Sequence, residues 1–408
     1  MDTSLESKDL AAGYANLKVL DKVTLGIKRG ELVVVLGPNA AGKSTLLKTL
    51  AGLLWPLGGV VYIDGIELTG LRPTEIAKRV GLLLTDRLRM SRMTAMEVVS
   101  MGRYPYTGPL ARLSERDRLV VRECMMLTGT LELSERPFDE LSDGQKQKVM
   151  LARALAQEPR VLILDEPTTH LDPRNRVEVC LLLKRITETK GISAIASLHD
   201  VELALRIADK LLVVSSGSVA LYESPEEFVY AGGVGDLYGF NRYLSFDERT
   251  MTIEVRANSQ DDDKLAVFVI AGGGTGALVY RALVRQGHRV STGILHSNDV
   301  DYSVARGLGI EVISEKPFEE IKPETFASGK EALMNADVVV YTNPPLGTIN
   351  ALNSELVRFA HSSGKTVINV DVNRKFWIQE LLRSMSEAST SVKRNHLIRR
   401  SLYPGLVY

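Results

Sequence analysis

Nine residues, Gly37, Pro38, Asn39, Ala40, Ala41, Gly42, Lys43, Ser44 and Thr45, stand between the apolar run Leu32 to Leu36 and a helix-forming stretch from Leu46 to Leu50. Glycines in such a turn let backbone N–H groups converge on an anion at a helix start. A lysine there reaches the β and γ phosphates, and the following hydroxyl can ligate Mg²⁺. The types and the strand-to-helix context make this a P-loop, so the chain is expected to bind ATP or GTP.

A second constellation narrows the chemistry. Val161-Leu162-Ile163-Leu164-Asp165-Glu166-Pro167 reads as a buried strand ending in two carboxylates. Asp165 is placed to hold Mg²⁺ directly or through water, and Glu166 to polarise the water that attacks the γ phosphate. Upstream, Leu141-Ser142-Asp143-Gly144-Gln145 runs into a helix from Lys146 to Leu155, whose N-terminus is a further anion site. On these motifs the chain resembles the nucleotide-binding subunits of ATP-binding cassette (ABC) transporters over Leu10 to Tyr222. The family motif has the form LSGGQ; Asp143 replaces its first glycine, while Ser142 and Gly144 keep their types.

The resemblance implies further roles, residue by residue. Tyr14 corresponds to the aromatic that stacks on adenine, Ser142, Gly144 and Gln145 to the turn that closes on the triphosphate, and Asp172 to the loop after the catalytic glutamate. His199, after the next strand, corresponds to the histidine that bonds the γ phosphate and the attacking water, so Lys43, Glu166 and His199 form the expected catalytic set. Where the family has a glutamine touching Mg²⁺, this chain has Thr85-Asp86. Ungapped alignment favours Thr85 and ligand chemistry favours Asp86; both are hard oxygen donors.

The same resemblance implies a head-to-tail homodimer of cassettes that buries two ATP molecules, closes on binding and reopens on hydrolysis. It also implies membrane permease subunits, an extracytoplasmic substrate-binding protein and a peripheral place on the cytoplasmic face of the membrane. The segment from Thr85 to Gly108, with Met90, Met93, Met96 and Met101, is the expected surface for transmitting the motion. Met101-Gly102-Arg103-Tyr104-Pro105-Tyr106 is similar to text in ATPases serving importers of iron-siderophore, haem and cobalamin, although Tyr104 and Tyr106 serve equally well as anchors for a loop around Pro105. A soluble, non-transport ABC ATPase with a ligand-sensing domain is the alternative.

Composition sets bounds on these readings. Lys plus Arg and Asp plus Glu each total 50 in 408 residues, so no global charge draws the chain to nucleic acid. Cys124 and Cys180 have no metal-ligand spacing and read as small buried apolar residues in a reducing compartment. Met1 to Leu10 lacks the basic-then-apolar pattern of a leader, and no apolar run reaches the roughly 18 residues needed to span a bilayer.

The length predicts two α/β domains. Short Val/Ile/Leu runs at Leu32–Leu36, Val161–Leu164, Ile192–Ser197 and Leu211–Val214 alternate with amphipathic stretches, which gives an ABC domain over 1–230 with a largely parallel sheet and a helical subdomain. An irregular linker is expected over 231–264, with a short strand at Thr252–Val255. A second alternating pattern over 265–408 predicts a smaller Rossmann-like domain with strands at Val267–Ala271, His288–Leu295, Ile310–Ile313, Val338–Tyr341 and Thr366–Val370. Its turn, Ala271-Gly272-Gly273-Gly274-Thr275-Gly276-Ala277, fits G-x-G-x-x-[GA] through Gly272, Gly274 and Ala277. The acidic residue expected about 20 positions on is missing, because the next strand ends Leu295-His296-Ser297. A small regulatory ligand, a nucleotide or the transported compound, is therefore expected here rather than NAD chemistry, with loops at Asn343-Pro344-Pro345 and Asp371 sharing the crevice; a lobe that only docks or dimerises is the other reading.

Overall fold

The computed structural model describes residues 3–15, 17–84, 92–107, 112–240, 244–248, 250–256 and 264–402, with side chains left aside at 391 and from 393 onward. The chain divides into two compact units, Met1–Tyr238 and Gly239–Tyr408.

The first unit carries two sheets. Strands β1 (Thr3–Tyr14), β2 (Leu17–Lys28), β4 (Gly58–Ile63) and β5 (Ile66–Glu67) form an antiparallel sheet in the order β2-β1-β4-β5. Strands β3 (Leu32–Leu36), β6 (Val80–Leu83), β7 (Val161–Leu164), β8 (Ser193–Ser197), β9 (Lys210–Ser215) and β10 (Ser218–Tyr222) form the larger sheet, in the order β10-β9-β3-β8-β7-β6. All its pairings are parallel except β9 with β10. Every residue of β3, β7 and β8 is buried, as strands covered on both faces require. Helix α1 (Lys43–Leu50) follows β3, and its Leu46, Leu47 and Leu50 join one core with Val33 and Val35 of the large sheet and Leu5, Leu10 and Leu20 of the antiparallel sheet. That packing fixes the loop between β3 and α1 from both sides.

Helices Ala95–Ser100, Glu115–Leu127 and α2 (Asp143–Leu155) make up the helical part, followed by α3 (Pro173–Lys190) and α4 (Val201–Ile207). Cys124 and Cys180 are buried and unpaired, and burial pushes both thiols up to about 12, so they pack as small apolar groups. Tyr106 anchors its loop, donating its hydroxyl to Gln157 O at 2.8 Å. Tyr104, by contrast, is half exposed.

The second unit is a five-stranded parallel sheet of β13 (Ala266–Ile270), β14 (Arg289–His296), β15 (Glu311–Glu315), β16 (Val338–Tyr341) and β17 (Thr366–Asn369) in the order β15-β14-β13-β16-β17. The chain therefore works outward in one direction from β13 and then in the other. Val267 and Val269 point to one face of β13 and Phe268 and Ile270 to the other, each pair in its own apolar cluster, so helices cover both faces. The first face is covered by α5 (Ala277–Arg285), α6 (Val300–Gly307) and the start of α7 (Trp377–Leu402).

The expected linker holds more structure than its composition suggests. A helix spans Gly233–Tyr238, and β11 (Leu244–Asp247) pairs with β12 (Thr252–Val255) as a hairpin in the second unit. The hairpin is tied down by an ion pair of Glu254 with Arg281 and a hydrogen bond from the Ser245 hydroxyl to Gly307 O.

Glu315, at the end of β15, is buried and accepts from Lys316 N and Lys322 N, each at 3.1 Å, and from the Thr325 hydroxyl at 2.7 Å. The Lys322 N–H leads the groups that pull its carboxyl down from 4.5 to about 2. Because the folded value is depressed, the stabilisation is complete above the unfolded pKa and is lost as pH falls from about 4.5 toward 2. Glu315→Gln is expected to flatten the acid limb of the second unit's stability curve by up to about 3 kcal/mol in urea titrations at stepped pH.

Candidate nucleotide site

The P-loop backbone is shaped for close approach. Gly42 lies at φ 106°, and a Cβ there would stand 2.8 Å from Val19 Cγ1. Gly37 lies at φ 155°, and its Cβ would meet Val214 O at 2.3 Å. Neither position tolerates a side chain. The contact of Gly42 with Val19 and Leu20 also places the β1–β2 hairpin beside the loop, with Tyr14, 47% exposed, at the hairpin's end.

Lys43 opens α1, and its ammonium is buried, donating to Gly37 O at 2.7 Å and Pro38 O at 2.9 Å. Burial lowers its pKa, opposed by the charges of Glu166 and Asp165. The lysine of one motif and the carboxylates of the other therefore share one electrostatic site. Ser44 follows in the first helical turn.

Asp165 is 4% exposed at the end of β7 and accepts from the Ser197 hydroxyl at 2.8 Å. The same hydroxyl accepts the Glu166 N–H at 2.8 Å. Glu166 sits at φ 52°, a left-handed conformation that costs a non-glycine residue about 1 kcal/mol or more. Ser197, the last residue of the neighbouring strand, pins this strained peptide. The Glu166 carboxylate is then aimed by His199 Nε2, 2.7 Å from Oε1, and by the Thr169 hydroxyl, donating to Oε2 at 3.1 Å. Sequence reading identified Asp165, Glu166 and His199 but gave Ser197 and Thr169 no role. The available signal was the position of Ser197 at the end of a buried strand beside the acidic pair.

Ser142, Gly144, Gln145 and Asp172 form a second cluster. Ser142 caps α2: its hydroxyl accepts Gln145 N–H at 3.3 Å and its own N–H donates to Gln145 Oε1 at 3.0 Å. Asp172 caps α3, accepting Asn175 N–H at 2.9 Å and the Asn175 side-chain amide at 2.6 Å; the Asn175 N–H leads the bonds that lower its pKa. Asn175 lies against Gly144, where a Cβ would stand 2.7 Å from its Cγ, so it ties the two helix starts together. Asp143, the departure from the family motif, is exposed at the first position of α2, where the helix dipole favours a carboxylate. Thr85, Asp86 and Met90 lie outside the described residues.

The ABC transporter family matches residues 20–169, and the MJ0874 family matches residues 290–397. An uncharacterized ABC transporter ATP-binding protein, MJ0873 of Methanocaldococcus jannaschii, is 43% identical over 291 residues, covering 71% of this chain and 99% of that protein. The cobalamin import ATP-binding protein BtuD of Halobacterium salinarum is 32% identical over 342 residues, 82% of this chain and 85% of its own length. The ferric enterobactin transport ATP-binding protein FepC of Escherichia coli is 35% identical over 235 residues, 58% of this chain and 87% of its own. Among solved structures, cbiO1 from Clostridium perfringens, described as part of the ABC transporter complex cbiONQ, superposes with a TM-score of 0.52 at 31% identity, over 57% of this chain and 93% of that one.

Proposed function

The chain belongs to the ABC transporter ATP-binding proteins and hydrolyses ATP, and from that premise we propose that it powers import of a metal chelate such as cobalamin or an iron-siderophore. The observation that carries the catalytic part is the buried Lys43 sharing a site with Asp165 and a Glu166 that is aimed by His199. Backbone N–H groups of residues 37–45 and Lys43 hold the phosphates, Tyr14 stacks on the base, and Glu166 takes the proton of the attacking water while His199 and Thr169 keep its carboxylate in place. Ser44 and Asp165 are the residues that would hold Mg²⁺, a hydroxyl and a carboxylate being hard oxygen donors that suit this ion. When bound it neutralises charge on the phosphates. Ser142 and Gly144 of a second copy close the other side of the triphosphate, with Asp172 and Asn175 setting the angle of that surface.

The peripheral place at the cytoplasmic face rests on the same reading; among the described residues no helix is long and apolar enough to cross a membrane. An apolar groove of about 360 Å³ in the first unit, lined by Trp55, Leu71, Pro73, Ile76, Leu82 and Met150, is where a permease segment would seat. Trp55 is 61% exposed there. An extracytoplasmic binding protein delivers the chelate. The second unit is a Rossmann-like lobe attached to this clamp, a reading supported by its strand order.

Trp55→Glu tests the transport reading. The isolated chain should keep its ATP turnover within about twofold, since Trp55 lies outside the phosphate site. Uptake of a corrinoid or ferric chelate by vesicles carrying the assembled transporter should fall at least about tenfold, the scale of an apolar anchor lost from an interface. Undiminished uptake by the variant would remove this groove from the pathway.

A further inference from the structure

In a doubly wound sheet with this strand order, a glycine turn after the first strand offers its N–H groups to a ligand's phosphates. In the second unit three of those groups are already taken. Gly276 N–H donates to Asp301 Oδ2 and Ala277 N–H to Asp301 Oδ1, both at 2.9 Å, a bidentate cap on the start of α5. Gly273 N–H donates to Asp299 Oδ2 at 2.8 Å, and Asp299 Oδ1 accepts Asp301 N–H at 2.9 Å, which locks the two acids together at the start of α6. Asp301 has no exposed surface.

The other wall is closed as well. Gly273 lies against Pro345, where a Cβ would stand 2.7 Å from Cγ, and Gly272 lies against Pro344. The Thr275 hydroxyl bonds Gly272 O at 2.8 Å and pairs with the Thr342 hydroxyl at 2.6 Å, binding the turn to the loop after β16. At the point where strand order reverses, between β13 and β16, the turn is thus tied to side chains of this chain on both sides, although Gly273 and Gly274 stay exposed.

We propose that the glycine turn of the second unit is a self-occupied anion cradle, in which Asp299 and Asp301 stand where a nucleotide's phosphates would, and that this unit therefore takes no nucleotide. A phosphate approaching the turn would meet two carboxylates and no free N–H among the three they hold, so both charge and hydrogen bonding oppose it. Burial, reinforced by the charge of Asp299, raises the Asp301 carboxyl, which accords with an acid kept inside the fold. Any small ligand of this unit accordingly belongs to a class without phosphate. Of the ligand classes read from sequence for this unit, the nucleotide drops out and the transported compound stays.

Equilibrium dialysis on the full chain decides the matter. The wild type should bind one ATP per chain, Lys43→Ala should bind at most that one and more weakly, and neither should bind NAD at millimolar concentration. A second ATP per chain in either protein, or NAD bound by either, would overturn the proposal. Asp301→Asn supplies a readout independent of ligand: it breaks the bidentate cap and should lower the second unit's unfolding midpoint by roughly 5 °C or more while leaving ATP affinity unchanged. A midpoint equal to wild type would show that the carboxylate does not hold the turn.

Discussion

Glu166→Gln is expected to lower steady-state ATP turnover about a thousandfold while leaving ATP affinity within a few-fold, because a positioned general base contributes that order of rate and little binding energy. The residue's surroundings make the substitution clean. Glutamine matches the shape of the side chain and keeps an acceptor for the Thr169 hydroxyl, which lies 3.1 Å from Glu166 Oε2. It cannot take a proton from water. The backbone at φ 52° is held from below by Ser197, whose hydroxyl is 2.8 Å from Glu166 N, and that bond does not involve the side chain. Lys43 and the loop it caps are untouched, so nucleotide still binds and the closed pair of subunits, once formed, does not reopen. Phosphate release at saturating ATP and the sedimentation of the ATP-loaded variant read the two halves of this outcome. Turnover at the wild-type rate would remove Glu166 from its role; loss of turnover together with loss of ATP binding would mean that the loop had been disturbed.

The parts of this site that are legible in the sequence are short, local motifs. The P-loop follows, and Asp165 and Glu166 end, strands buried on both faces, Leu32–Leu36 and Val161–Leu164, which read as unbroken apolar stretches. The antiparallel sheet was not legible. β1 pairs with β2 through several register shifts, and Asp9 and Lys22 take positive φ, so the alternation that marks a half-buried strand is interrupted. Of the hairpin, the strand Thr252–Val255 was read from sequence, but its partner Leu244–Asp247 and the pairing escaped for a different reason. Its strands are four residues each, and its hold on the second unit comes from Glu254 with Arg281 and Ser245 with Gly307, partners 27 and 62 residues away. The cap of Asp301 on Gly276 spans 25 residues and carries no motif, which is why the sequence does not show that three N–H groups of the glycine turn are already held.

Arg103→Ala is expected to destabilise the first unit by about 3–5 kcal/mol, the range for breaking a buried ion pair from one side. The guanidinium is 2% exposed and donates to Asp117 Oδ1 at 2.8 Å, Glu158 Oε2 at 2.7 Å and Ala156 O at 2.7 Å, with the Tyr106 ring 4.0 Å away. Sequence resemblance treated Met101 to Tyr106 as surface text. Beneath that surface, its arginine joins the turn to the helix Glu115–Leu127 and to the segment after α2. Gly102 beside it is pressed so close to Arg153 O that a Cβ would stand 2.2 Å away. Removing the cation takes the ion pair from the Asp117 carboxylate, itself 6% exposed and left with its Ser114 bonds, and leaves Ala156 O without that donor. Glu158, 39% exposed at its side chain, can turn to water and adds little. Arg103→Met combined with Asp117→Asn should therefore recover a large part of the loss, since the pair is replaced rather than broken and the Asn side-chain oxygen can still accept from the Ser114 N–H or hydroxyl at the helix start. Thermal unfolding of the first unit should fall by roughly 6–15 °C in the single variant and by much less in the double. Equal losses in the two would place the stability in the arginine's packing on Tyr106 rather than in the buried charge pair.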